Sequence, residues 1–281
     1  RAIQNLLNID ADDSVNAFLR VKGLNDADFI KNHFIVFATK NGTVKKTSLE
    51  AYSRPRTNGV NAITIADGDE VVDVRLTNGK NQLIMANRNG RAVYFDENTV
   101  RTMGRTATGV RGMRLDGGDD AVVGMIVVNN PETETVMVVS ETGYGKRSLV
   151  ADYRQTNRGG KGVKTLNITD KTGELVAIRP VTDEHDLMII NKSGITIRVH
   201  ARDISVQGRA TQGVRIIDLK KRGDEIASVC QVLSEEEEEV ADDATSETSS
   251  ATEATPIQGE ALQDQLPQEF LDRALNEDNN N

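Results

Sequence analysis

The stretch RQTNRGGKGVKTLNI, residues 154–168, is the most informative part of this 281-residue chain. It holds four basic residues and three glycines, and it has no acidic residue. A glycine-rich backbone carries little side-chain bulk, so its N–H groups can approach an anion closely. The pair Gly162-Val163 then leads into an apolar, β-branched run that is typical of a strand. The stretch therefore predicts an anion-binding loop that ends in a β-strand.

The same marks recur along the chain with a period near 50 residues. Glycine followed by valine occurs at Gly59, Gly109, Gly162 and Gly213, with spacings of 50, 53 and 51. Turn dipeptides that end in glycine occur at Gly42, Gly90, Gly143 and Gly194, with spacings of 48, 53 and 51. Glycine followed by an acid occurs at Gly68, Gly118, Gly173 and Gly223. Three independent marks with one period indicate a repeat architecture.

Each repeat contains the pattern of four strands, and the first two form a tight hairpin, as in FIVFAT and TVKKTS on either side of Gly42. Four strands per unit at this period are typical of a propeller. The chain has no Trp, which argues against a WD40 propeller. We predict an all-β, propeller-like fold of four-stranded blades over residues 1–233, with units at about 33–76, 82–128, 135–181 and 186–233.

A half unit at residues 1–22 precedes these four repeats. Its segments 3–9 and 15–21 match the third and fourth strands of the later units. The first half of this unit is missing, and the chain begins with Arg1 in the middle of the pattern. We therefore expect a piece of a longer protein.

The charge divides the chain into a body and a tail. Residues 234–281 carry 15 Asp and Glu and a single Arg, for a net charge of −14, whereas residues 1–233 have a net charge of +5. Low hydrophobicity and high charge predict that residues 234–281 are disordered. A basic body suggests a polyanionic partner. The tail could compete with that partner or act only as a solubilising segment, and the sequence leaves both open.

Several classes of function find no support in the residues. No apolar run approaches the roughly 18 residues of a membrane span, and a single cysteine, Cys230, fits a reducing cytosol. The three histidines have no ligand-like spacing, so we expect no metal site. The chain has no P-loop and no nucleophile elbow, so we expect no catalytic residue in this segment.

Basic residues recur at equivalent positions of the units and predict a basic belt around the perimeter of the fold. The loops between second and third strands supply Arg54, Arg56, Arg101, Arg105, Arg154, Arg158, Lys161 and Arg209. The second strands supply Lys45, Lys46, Arg91, Lys146, Arg147 and Arg198. The position two residues after the recurring Gly-Val glycine supplies Arg111, Lys164 and Arg215. The glycines Gly159, Gly160 and Gly162 complete the predicted site.

A belt of this kind fits the phosphate backbone of double-stranded DNA. Lysine and arginine bind this backbone independently of the base sequence. Aromatic residues make up only 4% of the chain, so stacking on single-stranded bases is disfavoured. No helix is predicted that could enter the major groove. The alternative from another class is a protein-binding propeller whose charges form an ordinary solvated face.

Several stretches resemble the C-terminal domain of the DNA gyrase A protein. They are IQNLLNI (3–9), KNGTVKKTSL (40–49), VRTMGRTATGVRGMRL (100–115), TGYGKRS (142–148) and GRATQGVRIIDL (208–219). The resemblance extends in register from residue 1 to about residue 233. The family's hallmark box, Q-R-R-G-G-K-G, is matched from Arg158 to Gly162. Asn157 stands where the box has its first arginine, Gln155 lies one residue too far upstream, and the match is in the third complete unit rather than the first blade.

The resemblance implies a β-pinwheel, a disc whose blades exchange strands with their neighbours and whose perimeter wraps duplex DNA. It also implies an ATP-hydrolysing type II topoisomerase that introduces negative supercoils, an A2B2 assembly of two gyrase A and two gyrase B proteins in the bacterial cytoplasm, close to the nucleoid. The catalytic, ATP and magnesium sites of such an enzyme lie outside this domain, so no cofactor is expected here. The related protein of topoisomerase IV, which selects DNA geometry, is the alternative within the same class.

Overall fold

The strands follow the repeats in chain order. The computed structural model describes residues 15–54, 56, 59–219 and 223–234, which belong to one compact unit. Segment 3–9 and, apart from Ser234, the predicted tail lie outside the described residues. The strands are β1 (Phe34–Thr39), β2 (Thr43–Ser48), β3 (Val71–Thr77), β4 (Gln82–Asn87), β5 (Arg91–Asp96), β6 (Val110–Arg111), β7 (Val122–Val128), β8 (Thr135–Ser140), β9 (Tyr144–Leu149), β10 (Val163–Lys164), β11 (Leu175–Val181), β12 (His185–Asn191), β13 (Thr196–His200), β14 (Val214–Arg215) and β15 (Ile226–Leu233).

Helical structure in the described residues is short. One α-helix, Ala27–Asn32, precedes the first hairpin, and the side chain of Asp26 caps it. A short 3-10 helix follows the second strand of each unit, at Leu49–Tyr52, Glu97–Thr99, Val150–Asp152 and Ala201–Asp203. These turns end the hairpins and start the loops that carry most of the predicted basic belt.

Four sheets form four blades, and neighbouring units exchange strands. In blades 1 to 3 the strand orders are β3-β1-β2-β6, β7-β4-β5-β10 and β11-β8-β9-β14, and blade 4 has the order β15-β12-β13. Each of the first three blades thus takes its first, second and fourth strands from one unit and its third strand from the next. This exchange confirms the all-β pinwheel that the sequence resemblance implied.

The recurring Gly-Val pair fixes the exchanged strand. Val110 lies opposite Val44, Val163 opposite Ala92, and Val214 opposite Gly145. The exchanged strands are two residues long, shorter than the sequence pattern predicts. The glycine before each valine turns the chain into the neighbouring blade.

Two predicted strands are absent from the described residues. Segment 15–21 has no regular secondary structure, although its Leu19 and Val21 pack on Ile35, Phe37 and Leu49. The third strand of the first unit, which follows Gly59, does not form either. In the later units a fourth strand pairs with the first strand of its own unit, and an exchanged third strand pairs with the second strand of the preceding unit. The described residues contain no hairpin before β1 that could take either role. The prediction of these strands was wrong for that reason.

The core lies between the blades. On β4, Leu83 and Met85 pack toward blade 1, whereas Ile84 and Ala86 pack toward blade 3. Alternate residues of one strand therefore face opposite neighbours, and both faces of an internal blade are covered. This explains why the first strand of each unit is an almost continuous apolar run instead of an alternating one.

Candidate nucleic-acid interface

The loops that lead to the exchanged strands lie at the outer edge of the blades. The fourth strands line a shared cavity of about 510 Å³ through Val72, Val123, Val176 and Ala227. The exchanged strands β6, β10 and β14 occupy the opposite edge of their sheets. We call residues 100–111, 153–164 and 204–215 the crossing segments, because each runs from the second strand of one blade to the outer edge of the preceding blade.

Most of the predicted basic residues are exposed. Exposed side chains are Arg54, Arg56, Arg101, Arg111, Arg154, Lys161, Lys164, Arg198 and Arg215. Half-buried side chains are Arg91, Arg105, Arg158 and Arg209. Most of these residues lie on the crossing segments or on the equivalent loop of the first unit. The structure therefore places a series of cations along consecutive outer edges.

The glycine-rich loop of the third unit is held by its backbone. The Gly159 N–H donates to the Gly112 carbonyl at 2.6 Å, and the Gly160 carbonyl accepts from the Arg114 N–H at 2.9 Å. Gly162 has a φ of +75°, a conformation that glycine adopts without steric cost. The loop is therefore packed on the preceding exchanged strand, and Gly160 remains exposed at the surface.

The cations of this loop have local partners. Lys161 forms an ion pair with Asp116, and Lys164 donates to the side chain of Asn167 at 3.0 Å. The Lys161 ammonium is the main reason that the pKa of Asp116 lies below its usual value. Both members of the pair are substantially exposed, so a phosphate could replace the carboxylate at little cost.

Two further exposed arginines are paired on the outer surface. Arg215 donates to the Tyr144 hydroxyl from Nε at 3.2 Å and from Nη2 at 3.0 Å. Arg198 pairs with Asp186 at 2.6 Å. Such contacts orient the guanidinium groups, and each side chain remains about 42% exposed.

Four of the predicted contact residues are buried, and the prediction that they face DNA is corrected. Lys45 and Lys146 have no exposed surface. The Lys45 ammonium binds the carbonyls of Ala62 and Arg105, and the Lys146 ammonium donates to the Gly208 carbonyl at 2.6 Å. Both lysines therefore hold the backbone of a loop from beneath and cannot touch a ligand.

Lys46 and Arg147 are the other two corrections. Lys46 pairs with the buried carboxylate of Glu97 at 2.9 Å. Arg147 donates to the Thr135 hydroxyl at 2.9 Å and to the Ala201 carbonyl at 3.0 Å, and it pairs with Asp183 at 2.6 Å. Both cations tie the second strand of a blade to its neighbours, because the covered faces of the blade leave no solvent for them.

Because Lys45 and Lys146 are buried, we expect the free energy of unfolding to increase with pH in the mildly alkaline range. Burial lowers the pKa of Lys45 and of Lys146 from 10.5 to about 8, whereas an unfolded chain keeps a value of about 10.4. Between these values the unfolded state binds more protons, so the free energy of unfolding should rise from about pH 8 to about pH 9.5. Urea midpoints measured across this range check the prediction.

The variant Lys45→Met/Lys146→Met is the control for this measurement, and its midpoint should change less over the same range. The range stops below about pH 10 because tyrosine side chains of the unfolded chain begin to ionise there. Burial raises the pKa of Tyr153 to about 12, which makes stability fall again at higher pH. An identical pH slope in wild type and variant would contradict the assignment to the lysines.

Sequence reasoning missed two residues of this surface. Arg114 is exposed beside the glycine-rich loop, and Asp116 neutralises Lys161. Neither type recurs at its repeat position, since Asn167 and Thr169 occupy the equivalent places in the next unit. Positions that do not recur carry no repeat signal, although Arg114 follows the exchanged strand that ends at Arg111.

Other kinds of site find no support in the described residues. No three His, Cys, Asp or Glu side chains in this part of the chain converge as metal ligands. No helix in the described ranges has the length and apolar character that a membrane crossing needs.

Known proteins are similar to this chain in both sequence and fold. The family model of the DNA gyrase C-terminal domain, a β-propeller, matches residues 33–78, 81–129, 134–182 and 185–229. The DNA gyrase A protein of Staphylococcus aureus (strain NCTC 8325 / PS 47) is 41% identical over 262 residues, which are 92% of this chain and 29% of that protein. The chain thus spans less than a third of the length of this relative.

Two solved structures extend the likeness. The C-terminal domain of a DNA topoisomerase IV superposes with a TM-score of 0.74 at 28% identity, over 83% of this chain and 70% of the other. A DNA gyrase A C-terminal domain superposes with a TM-score of 0.72 at 24% identity, over 83% of this chain and 75% of the other. The second likeness bears on the fold alone.

Proposed function

The chain belongs to the family of DNA gyrase C-terminal domains, and from this premise we propose that its crossing segments bind the backbone of duplex DNA and bend it. One observation carries the proposal: exposed cations lie on the outer edges of consecutive blades, where a single duplex can meet them in series. Bending 20–30 bp by 40–90° costs about 1–6 kcal/mol. Contacts on several crossing segments can offset that cost, whereas one loop could not.

Within the longer protein, the bent duplex would be presented to an ATP-driven strand-passage machinery that introduces negative supercoils. We propose that this machinery is the A2B2 assembly of a bacterial gyrase, which acts on the chromosome in the cytoplasm. ATP and magnesium would be bound by other parts of that assembly. This segment would contribute DNA binding and geometry rather than a catalytic residue.

The affinity for DNA should depend strongly on salt concentration, and the contribution of a single exposed arginine to this dependence should be measurable. Each phosphate that the protein neutralises contributes about −0.9 to the slope of log K against log salt. Arg154→Ala should therefore reduce the magnitude of the slope by about 0.9. Fluorescence anisotropy with a labelled duplex of unrelated sequences, at several salt concentrations, provides the measurement.

Lys40→Ala is the matched control, since it removes the same charge from the cavity side of blade 1. Its slope should equal that of the wild type. Equal changes in both variants would mean that only net charge matters, and would contradict binding along the outer edge. Absence of binding at low salt would instead favour a protein-binding propeller.

A role in topoisomerase IV is the second candidate, and the superposition on the topoisomerase IV domain is the observation in its favour. Ligation of relaxed circles in the presence of the chain separates the two. A gain of positive writhe indicates wrapping and supports the gyrase role, whereas DNA binding without any change of writhe favours selection of DNA geometry.

A further inference from the structure

Arg158 joins its crossing segment to two blades at once. Its Nε donates to the Thr99 carbonyl at 2.9 Å, and its Nη1 donates to the Arg111 carbonyl at 2.9 Å. Thr99 ends the 3-10 helix that follows β5 in blade 2, whereas Arg111 belongs to the outer strand of blade 1. The guanidinium therefore spans the junction between these blades at their outer edge.

Arg209 makes the same contacts one unit later. Its Nε donates to the Asp152 carbonyl at 3.0 Å, and its Nη1 donates to the Lys164 carbonyl at 2.9 Å. Asp152 ends the 3-10 helix of blade 3, and Lys164 lies on the outer strand of blade 2. Two independent copies of one arrangement show that the contact belongs to the repeat and is not an accident of one loop.

A backbone ladder accompanies each arginine. The Arg114 N–H donates to the Gly160 carbonyl at 2.9 Å, and the Asn167 N–H donates to the Thr211 carbonyl at 3.0 Å. The residues that follow each exchanged strand are thus bonded to the next crossing segment along the outer edge. The path of this edge, and with it the spacing of the exposed cations, depends on how firmly each segment is held to the preceding one.

The two arginines are suited to holding this edge and poorly suited to binding phosphate. Each is half-buried and already directs two N–H groups toward backbone carbonyls. The planar guanidinium offers its donors in a fixed fork, which a lysine ammonium cannot reproduce. Arg154, on the same loop as Arg158, is in contrast exposed.

We propose that Arg158 and Arg209 are positioning residues that set the angle between successive blades and so the curvature of bound DNA. The proposal rests on the proposed function and goes beyond it. It distinguishes the cations that fix the angle between blades from the cations that touch phosphate. Exposed residues such as Arg154 bind the backbone. The two half-buried arginines keep the binding surfaces of neighbouring blades in line.

The test exchanges arginine for lysine, which keeps the charge and removes the fork. Arg158→Lys/Arg209→Lys should bind a duplex of about 10 bp, one helical turn, with wild-type affinity, because one blade suffices. The same variant should lose about tenfold in affinity for a duplex of about 30 bp, which must contact several blades. Energy transfer between labels at the ends of the longer duplex should report a straighter path.

Arg88→Lys is the matched control, since Arg88 is half-buried and donates to the Asp119 carbonyl but lines the cavity side of blade 2. It should behave as wild type with both duplexes. Amide hydrogen exchange at Arg114 and Asn167 should accelerate in the double variant and stay unchanged in the control.

We call the paired carbonyl contacts of Arg158 and of Arg209 the two clamps. Each single variant keeps one clamp and should show a smaller loss of affinity for the long duplex. The single variants also keep the experiment informative if the double variant folds poorly.

Wild-type affinity and exchange in Arg158→Lys/Arg209→Lys would overturn the proposal, since charge alone would then suffice. An equal loss with both duplexes would overturn it too, because it would indicate direct phosphate contact. Failure of the wild-type chain to bind either duplex at low salt would contradict the proposed function. That result is distinct from both of the others.

Discussion

Replacing Gly162 by alanine is expected to lower the free energy of unfolding by about 3 kcal/mol or more. Gly162 has a φ of +75°, which an L-residue with a Cβ adopts only with strain. An added Cβ would lie 2.5 Å from the carbonyl carbon of Ala92 and 3.0 Å from Cγ2 of Val93. Backbone cannot move away as a flexible side chain could, so the exchanged strand β10 would have to leave its place on blade 2.

Gly59 is the internal control for this substitution. It occupies the same position of the first unit and has a φ of +72°, yet nothing lies within 4 Å of the place of its Cβ. Gly59→Ala should therefore cost only the backbone strain, about 1 kcal/mol. Urea denaturation followed by circular dichroism gives both values. Equal costs would show that the close approach to Ala92 has no energetic weight.

The recurring glycines were predictable from local sequence patterns, whereas the exchange of the strands that follow them was implied only by the family resemblance. The Gly-Val period places a turn before each third strand, because turn residues and β-branched residues carry local signals. The exchange of that strand into the preceding blade is a long-range choice that no local pattern encodes. The alternation of residues around Val163 is equally compatible with pairing inside its own unit. Val163 pairs with Ala92 instead, because backbone hydrogen bonds hold the crossing segment on the preceding repeat.

The error with the buried cations has a clear physical origin. Lys45 and Lys146 recur at one repeat position, which suggested a common exposed place on the perimeter. In the second unit that position is Val93, and in the fourth it is Ile197. Val93 is 1% exposed, so the position belongs to the core between blades. A comparison of all four units would have predicted burial, because an apolar residue at one copy reports the environment of the others.

The exposure of the predicted contact residues was confirmed in part, whereas their contact with DNA stays a prediction. Arg101 and Arg154 are exposed, as expected of loops that precede strands. The clamps formed by Arg158 and Arg209 could not be found, since the same residue type serves exposed and bridging roles and only the tertiary contacts separate them. Asp116 was missed because its effect depends on Lys161, which is far away in the sequence.

The second large effect is expected at Glu97, where Glu97→Gln should lower the free energy of unfolding by about 3–5 kcal/mol. The Glu97 carboxylate is completely buried. It accepts from the Lys46 ammonium at 2.9 Å, the Thr77 hydroxyl at 2.7 Å and the Asn81 N–H at 2.7 Å. The Lys46 ammonium also lies 4.5 Å from the centre of the Phe34 ring. Neutralising the carboxylate leaves this ammonium buried between blades without a counter-charge.

The double variant Lys46→Met/Glu97→Gln separates the lost charge pair from the lost packing. It removes both charges, while the glutamine amide can keep its oxygen on the Asn81 N–H and turn its NH2 group toward the Thr77 hydroxyl, which can accept. It should therefore recover most of the stability and lie within about 1.5 kcal/mol of the wild type. The exposed pair Lys40–Glu70 gives the reference, since Glu70→Gln should cost about 1 kcal/mol or less. A double variant no more stable than Glu97→Gln would show that the geometry around the carboxylate, and not the unpaired ammonium, carries the cost.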